Sequence, residues 1–169
     1  MRYATPAGPR RLVAITSEHS VTLAFTFPAA ERPGLHGVAI RRDNHDGTTI
    51  WLQGLLGFPG SAHTPGEPIS SNEGPFQKMY WADYTVREGH TYTYQVIPVY
   101  GIPPNQLDVR EANALELQVQ TEPVDLAAAQ AHSVHFNRAV VSSQAYARNF
   151  GPGCTFERSA DSKMAGARA

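Results

Sequence analysis

The sequence is poor in cysteine, in charge and in long apolar runs, and each shortage closes a class of function. Cys154 is the only cysteine. One thiol closes no intramolecular disulfide and builds no cysteine-based zinc site, so its simplest role is a spare thiol. Charged residues are 17% of the chain against a usual quarter, which argues against a charge-rich helical bundle. Acids and bases nearly cancel to a formal net charge of -1, leaving no electrostatic footprint for nucleic acid or anionic lipid. The basic pairs Arg10-Arg11 and Arg41-Arg42 are isolated and read as solvated surface. No run approaches the ~18 consecutive apolar residues of a membrane span. The first eleven residues lack the apolar stretch of a secretory signal. Together these shortages predict a cytoplasmic chain with no membrane span and no nucleic-acid partner.

Apolar residues make up 41%, enough for a core, and their spacing is that of strands. Val21, Leu23, Phe25 and Phe27 alternate with Thr22, Ala24 and Thr26, the clearest period-two pattern in the chain. Further strands are predicted over 12–16, 35–42, 48–53, 76–84, 91–100 and 112–121. Val38 and Ile40 face one way, as do Ile50 and Leu52 with Trp51 opposite. Tyr92, Tyr94, Val96 and Pro98 share one face of the sixth strand, and Leu115, Leu117, Val119 and Thr121 one face of the last. Asp43-Asn44-His45-Asp46-Gly47 reads as a hairpin turn, with Asp-Gly supplying the positive φ. Residues 1–10 read as frayed and 101–110 as a loop. The 55–75 segment is so dense in glycine and proline that neither helix nor strand is expected there. About seven short strands with turns and no helix between them predict an all-β antiparallel sandwich over residues 1–122. After it, 123–133 reads as a linker and 134–136 as a short strand. Residues 142–151 read as a helix capped by Ser142 or Ser143 and stopped by Gly151. Tyr146 and Phe150 share a face of that helix. The 152–169 tail is polar and rich in small residues, the composition of disorder.

Few residues suggest chemistry. His132 and His135 share a face only in a helix, and no third ligand is placed for a metal. His19, His36, His45, His63 and His90 fall in turns and loops and read as exposed. The 43–46 turn has the acids for calcium but neither the ligand count nor the terminal Glu of an EF-hand. A G-x-S-x-G elbow is missing, and the glycines of 54–66 precede no helix, so they form no phosphate loop. Trp51, Tyr80, Trp81 and Tyr84 read as cross-strand packing, with an exposed ligand platform around Trp51 and Trp81 as the alternative. No catalytic, metal or cofactor residue is assigned.

Two resemblances add to this. Residues 87–96, Arg87-Glu88-Gly89-His90-Thr91-Tyr92-Thr93-Tyr94-Gln95-Val96, resemble the tyrosine-bearing strand of fibronectin type III and immunoglobulin-like domains. The resemblance implies that Tyr92 is a structural tyrosine corner. Residues 37–42, 75–84, 92–101 and above all 135–148, His135-Phe136-Asn137-Arg138-Ala139-Val140-Val141-Ser142-Ser143-Gln144-Ala145-Tyr146-Ala147-Arg148, resemble bacterial phospholipase D-like proteins. There a sandwich precedes the catalytic domain, and 134–151 would open that domain. The family works through H-x-K-x-x-x-x-D motifs, with one histidine as nucleophile and another as general acid. No H-x-K occurs here, so no catalytic residue carries over. The chain resembles the N-terminal part of such a protein, truncated or diverged before the catalytic motifs. The expected role is a non-catalytic accessory module packing on or positioning a phospholipase D-type domain, in cis or in trans, with Phe136, Tyr146 and Phe150 as the contact. The alternatives are a phosphodiesterase completed by a separate chain, and a free-standing glycan- or protein-binding module.

Overall fold

The computed structural model describes residues 1–123. The expected linker, the 134–151 piece with Phe136, Tyr146 and Phe150, the histidines 132 and 135, Cys154 and the tail lie outside the described residues. Within 1–123 the protein is an all-β antiparallel sandwich. One sheet holds β1 (Arg2–Ala4), β2 (Arg11–Thr16), β3 (Val21–Thr26) and β8 (Tyr80–Asp83), in that order. The other centres on β9 (Thr91–Ile102), with β4 (Gly37–Asp43) and then β5 (Thr49–Trp51) on one side. On its other side β9 pairs with β10 (Gln106–Val109) at one end and β11 (Leu115–Gln120) at the other. A small third ladder joins β6 (Gln53–Gly54) to β7 (Ile69–Ser70).

Period-two alternation decides what lies between the sheets. In β2 and β3 the inward set is Leu12, Ala14, Val21, Leu23 and Phe25, all buried. In β9 it is Tyr92, Tyr94 and Val96, which meet Val38 and Ile40 from β4 and Val119 from β11 in the same core. Trp81 also points inward and stacks on Phe76, ring centroids 3.7 Å apart. Ile97 and Val99 point the other way. They form a second small cluster with Ala39, packed against Trp51, Leu107, Val109 and Ala114 on the outer side of the β9 sheet.

Three segments depart from the sequence expectation. Residues 2–4 are a strand, because Arg2, Tyr3 and Ala4 pair with Ile15, Ala14 and Val13. The N-terminal ammonium anchors the start, bonded to the Thr16 carbonyl and to Glu122. Part of 101–110 is also a strand, because Gly101 (φ 98°) lets the chain fold back so that β10 pairs with the end of β9. The 55–75 segment contains β7, and just beyond that strand it completes the exposed side of β4. Buried Ser71 receives the Ile40 N–H at 3.0 Å and donates to the Ile40 carbonyl at 3.2 Å. Val38 and Phe76 exchange backbone bonds at 2.9 Å next to it. Breaker-rich chain thus satisfies strand groups that would otherwise be buried without partners.

Gly37 makes this closure possible. Its φ is 147°, and a β-carbon there would stand 2.5 Å from the Phe76 carbonyl oxygen. Gly37→Ala is therefore expected to lower stability by about 2 kcal/mol or more, combining backbone strain with a steric clash. A lower urea midpoint at unchanged slope would show it; an unchanged midpoint would mean that the 75–76 crossing is looser than described.

Candidate interaction surface

The ionisable groups come first, because chemistry would need them. Arg42 and Asp83 are 5% and 3% exposed and join the two sheets across the core. Arg42 Nη1 donates to Asp83 Oδ2 at 2.6 Å and to Thr85 Oγ1 at 2.8 Å. Its Nε donates to Asn44 Oδ1, and its guanidinium lies 4.9 Å from the centre of the Tyr92 ring. Tyr94 donates its hydroxyl to the same Asp83 oxygen at 2.8 Å, and Thr85 donates its N–H and hydroxyl to Asp83 Oδ1. Burial first, and then the Asp83 charge, push the Tyr94 hydroxyl far above the ordinary tyrosine range. The reading of Arg41-Arg42 as solvated surface is therefore wrong for Arg42. β4 alternates, and Arg42 lies in phase with Val38 and Ile40. Arg10 is likewise held, by Glu31 at 2.8 Å.

Tyr92 accepts the Arg87 backbone N–H on its phenolic oxygen at 2.8 Å, a hydrogen bond of the tyrosine-corner kind. The acidic turn is held by its own side chains: Asp43 accepts the His45 N–H, and Asp46 accepts the Thr48 N–H and hydroxyl. Those bonds from Thr48 draw the Asp46 carboxyl below its ordinary pKa. His19, His45 and His90 are exposed, as expected, and His63 is half-buried. His45, His63 and His90 bond the Thr93 hydroxyl, the Glu67 carbonyl and the Glu88 carbonyl respectively. His36 is half-buried and bonds the Gly101 carbonyl through Nε2 at 2.8 Å, so that nitrogen carries the proton. It lines an open groove of about 340 Å³ with Leu35, Gly37, Phe58, Gln77 and Met79. Among the described residues, no three His, Cys, Asp or Glu side chains come together as a metal site.

The suggested aromatic platform does not form around Trp51 and Trp81, because the two point to different places. Trp81 is inside the sandwich, whereas Trp51 lies on the outer side of the β9 sheet, 5.3 Å from the Arg41 guanidinium. An exposed apolar surface lies elsewhere, on the outer face of the β1–β2–β3–β8 sheet. Register places Arg2, Ile15, Thr22 and Ala82 in one row across it, and Ala4, Val13, Ala24 and Tyr80 in the next. Ile15, Tyr80 and Tyr84 are 57%, 54% and 68% exposed. Sequence reasoning missed this face although a signal was present: β2 is apolar on both phases, with Val13 and Ile15 opposite Leu12 and Ala14. A strand with one wet face normally alternates with polar residues.

No protein-family model matches the chain, and no curated protein matches it. No helix among the described residues is long and apolar enough to cross a membrane.

The interior and the surface should separate under mutation. Asp83→Asn leaves the Arg42 charge buried without its counter-ion and is expected to cost about 3–5 kcal/mol. Ile15→Ser and Tyr84→Ser, on the exposed face, should stay within about 0.5 kcal/mol of the parent. Chemical denaturation of the three variants tests both; a large loss at Ile15 would mean that the face is covered. The Tyr94 shift also fixes an alkaline limit. The unfolded tyrosine releases its proton near pH 10 while the folded one retains it, so stability is full below about pH 10 and falls above it. The slope of stability between about pH 10 and 11 should be shallower in Tyr94→Phe.

Proposed function

We propose that the sandwich is a non-catalytic accessory module that packs on or positions a phospholipase D-type catalytic domain, in a cytoplasmic setting. The observation that carries an interaction role is the exposed apolar and aromatic face of the β1–β2–β3–β8 sheet. Contiguous apolar surface of that kind marks contact sites on soluble domains. The commitment of the buried ionisable residues to structure points the same way. A strongly shifted group in a cleft suggests catalysis, but Tyr94 and Asp83 are enclosed between the sheets and do not line the groove beside His36. The groove beside His36 contains one imidazole and one amide, with no carboxylate or nucleophile in its lining. What supports the phospholipase D association is the resemblance of 135–148 to the start of that domain, and the missing H-x-K supports only the non-catalytic reading. A fold of this kind serves many roles, so the partner is argued from that stretch and not from the sandwich.

Phosphodiesterase activity on bis-p-nitrophenyl phosphate tests the proposal, using the chain alone and mixed with a phospholipase D-type domain encoded in the same genome. No turnover alone and a gain on mixing is the expected result. Turnover by the chain alone would refute the non-catalytic assignment, and no gain on mixing would refute the partner.

A further inference from the structure

We infer that the outer face of the β1–β2–β3–β8 sheet docks an acidic protein surface. The inference rests on the interaction-module reading and adds the chemistry of the partner. Its basis is how charge is distributed over the face. The centre is Val13, Ile15, Ala24 and Ala82, flanked by Thr22 and Tyr80. Arg2 stands at one edge beside Ile15, and Arg11 at one end beside Thr26. At the opposite edge Lys78 sits over the Tyr80 ring, 5.7 Å from its centre. Four strands at about 4.8 Å spacing separate the two edges by about 14 Å. Cations therefore bracket the apolar centre from two sides. No Asp or Glu occupies an outward strand position on this sheet, since Asp83 points into the core.

Four other cations of the sandwich are neutralised locally. Arg10, Arg41, Arg42 and Arg110 each hold a carboxylate. Among the described residues Arg2, Arg11, Arg32, Lys78 and Arg87 hold none, and of these Arg2, Arg11 and Lys78 lie about this face. The outer side of the β9 sheet is different again. There Arg41 binds Gln95 and Glu111, Gln95 binds Glu116, and Asp43 stands nearby in register with Thr93. That side satisfies its own charges, whereas the β1–β2–β3–β8 face leaves its positive charges for a visitor.

An apolar centre bracketed by cations is complementary to an apolar patch rimmed by carboxylates. Such complementarity fixes orientation and speeds encounter. A two-fold pairing of this face with itself would bring like charges together and is disfavoured. Three dispersed cations are also too few for strong attraction to phosphates, since lipid-surface binding gains only about 1 kcal/mol per basic residue and nucleic-acid affinity grows with the number of phosphates neutralised. A protein surface supplies carboxylates and apolar contact together.

The test uses the full chain and poly-L-glutamate as the probe, with heparin and phosphatidylglycerol vesicles as competing anions, in low salt of about 0.05 M. Poly-L-glutamate should bind and shift the amide resonances of β2, β3 and β8. The double variant Arg11→Glu, Lys78→Glu should weaken that binding about tenfold, from two exposed pairs worth a few-fold each. Glu116→Lys on the other sheet should not weaken it. Absence of binding, or equal weakening by all variants with folding intact, overturns the inference. So does tighter binding to heparin or to vesicles, which would make the ligand a glycan or a lipid surface. Self-association in sedimentation that the double variant abolishes would make a second copy the occupant and also overturns it. This outcome is independent of the phosphodiesterase mixing assay, so failure of the catalytic-domain partner and failure of the acidic-partner inference are separately visible.

Discussion

The ion pair between Arg42 and Asp83 is the constraint around which the rest of the sandwich is arranged. Taking both charges out of water carries a penalty of several kcal/mol per ion even after relaxation. Their mutual attraction offsets that only if the remaining donors and acceptors find partners, and here they do. One Asp83 oxygen takes Arg42 and Tyr94, and the other takes the N–H and hydroxyl of Thr85. Arg42 spends its Nε on Asn44 and lays its plane near the Tyr92 ring. The partners come from several elements, so the pair ties β4, β8, β9 and the turn after β4 to a single arrangement. A one-residue slip of β4 would turn Arg42 out and bring Arg41 and Ala39 in, leaving Asp83 buried without its counter-ion. The pair thus acts on register more than on net stability.

The same carboxylate bears on the sheet edges. An uncovered edge strand is a template for unwanted pairing, and short length and inward-pointing charge both discourage it. β8 has four residues and carries Asp83 inward. At the far edge of the other sheet, β5 covers only part of β4. Leu52 bonds Ile40, Ser71 fills in beside it, and Phe76 pairs with Val38. One edge of each sheet is therefore guarded.

What the sequence revealed follows from how local each cause is. β2, β3, β9 and β11 were legible because burial of one face writes period two directly into the chain. The turn at 43–47 was legible because its own side chains fold it. β1 and β10 were not, since neither is long enough for its pattern to outweigh the prolines and glycines nearby in the chain; each exists because a neighbouring strand offers a free edge. Ser71 was invisible for the same reason: its role depends on a strand thirty-one residues earlier in the chain. Arg42 is a different case. Val38 and Ile40 already fixed the inward phase of β4, and extending it by two residues places Arg42 in the core. Treating Arg41-Arg42 as a pair hid a difference that alternation had already made. Likewise Trp51 and Trp81 look equivalent as exposed aromatics until register sends one into the core and leaves the other on an outer face.

That division between inner and outer phase also explains why an outer face can be rigid enough to recognise anything. Loops adapt on binding and give up conformational entropy when they do, whereas strands already held by a packed core give up little. The backbone beneath Ile15, Thr22, Ala24 and Ala82 is fixed by Leu12, Ala14, Leu23 and Trp81 on the other side of the same strands. Tyr80 opens β8 and Tyr84 directly follows Asp83, so the strand that the inward Asp83 constrains carries an exposed aromatic at each end. A partner meeting this face encounters an already ordered surface. Ordering of the long side chains of Arg2, Arg11 and Lys78 then becomes the main conformational cost on this side of the contact, and Lys78 has part of that ordering in place through its contact with Tyr80. The interior charges hold the sheets in register, and the exterior cations, which pair with no carboxylate among the described residues, are left to act on the approach of a partner.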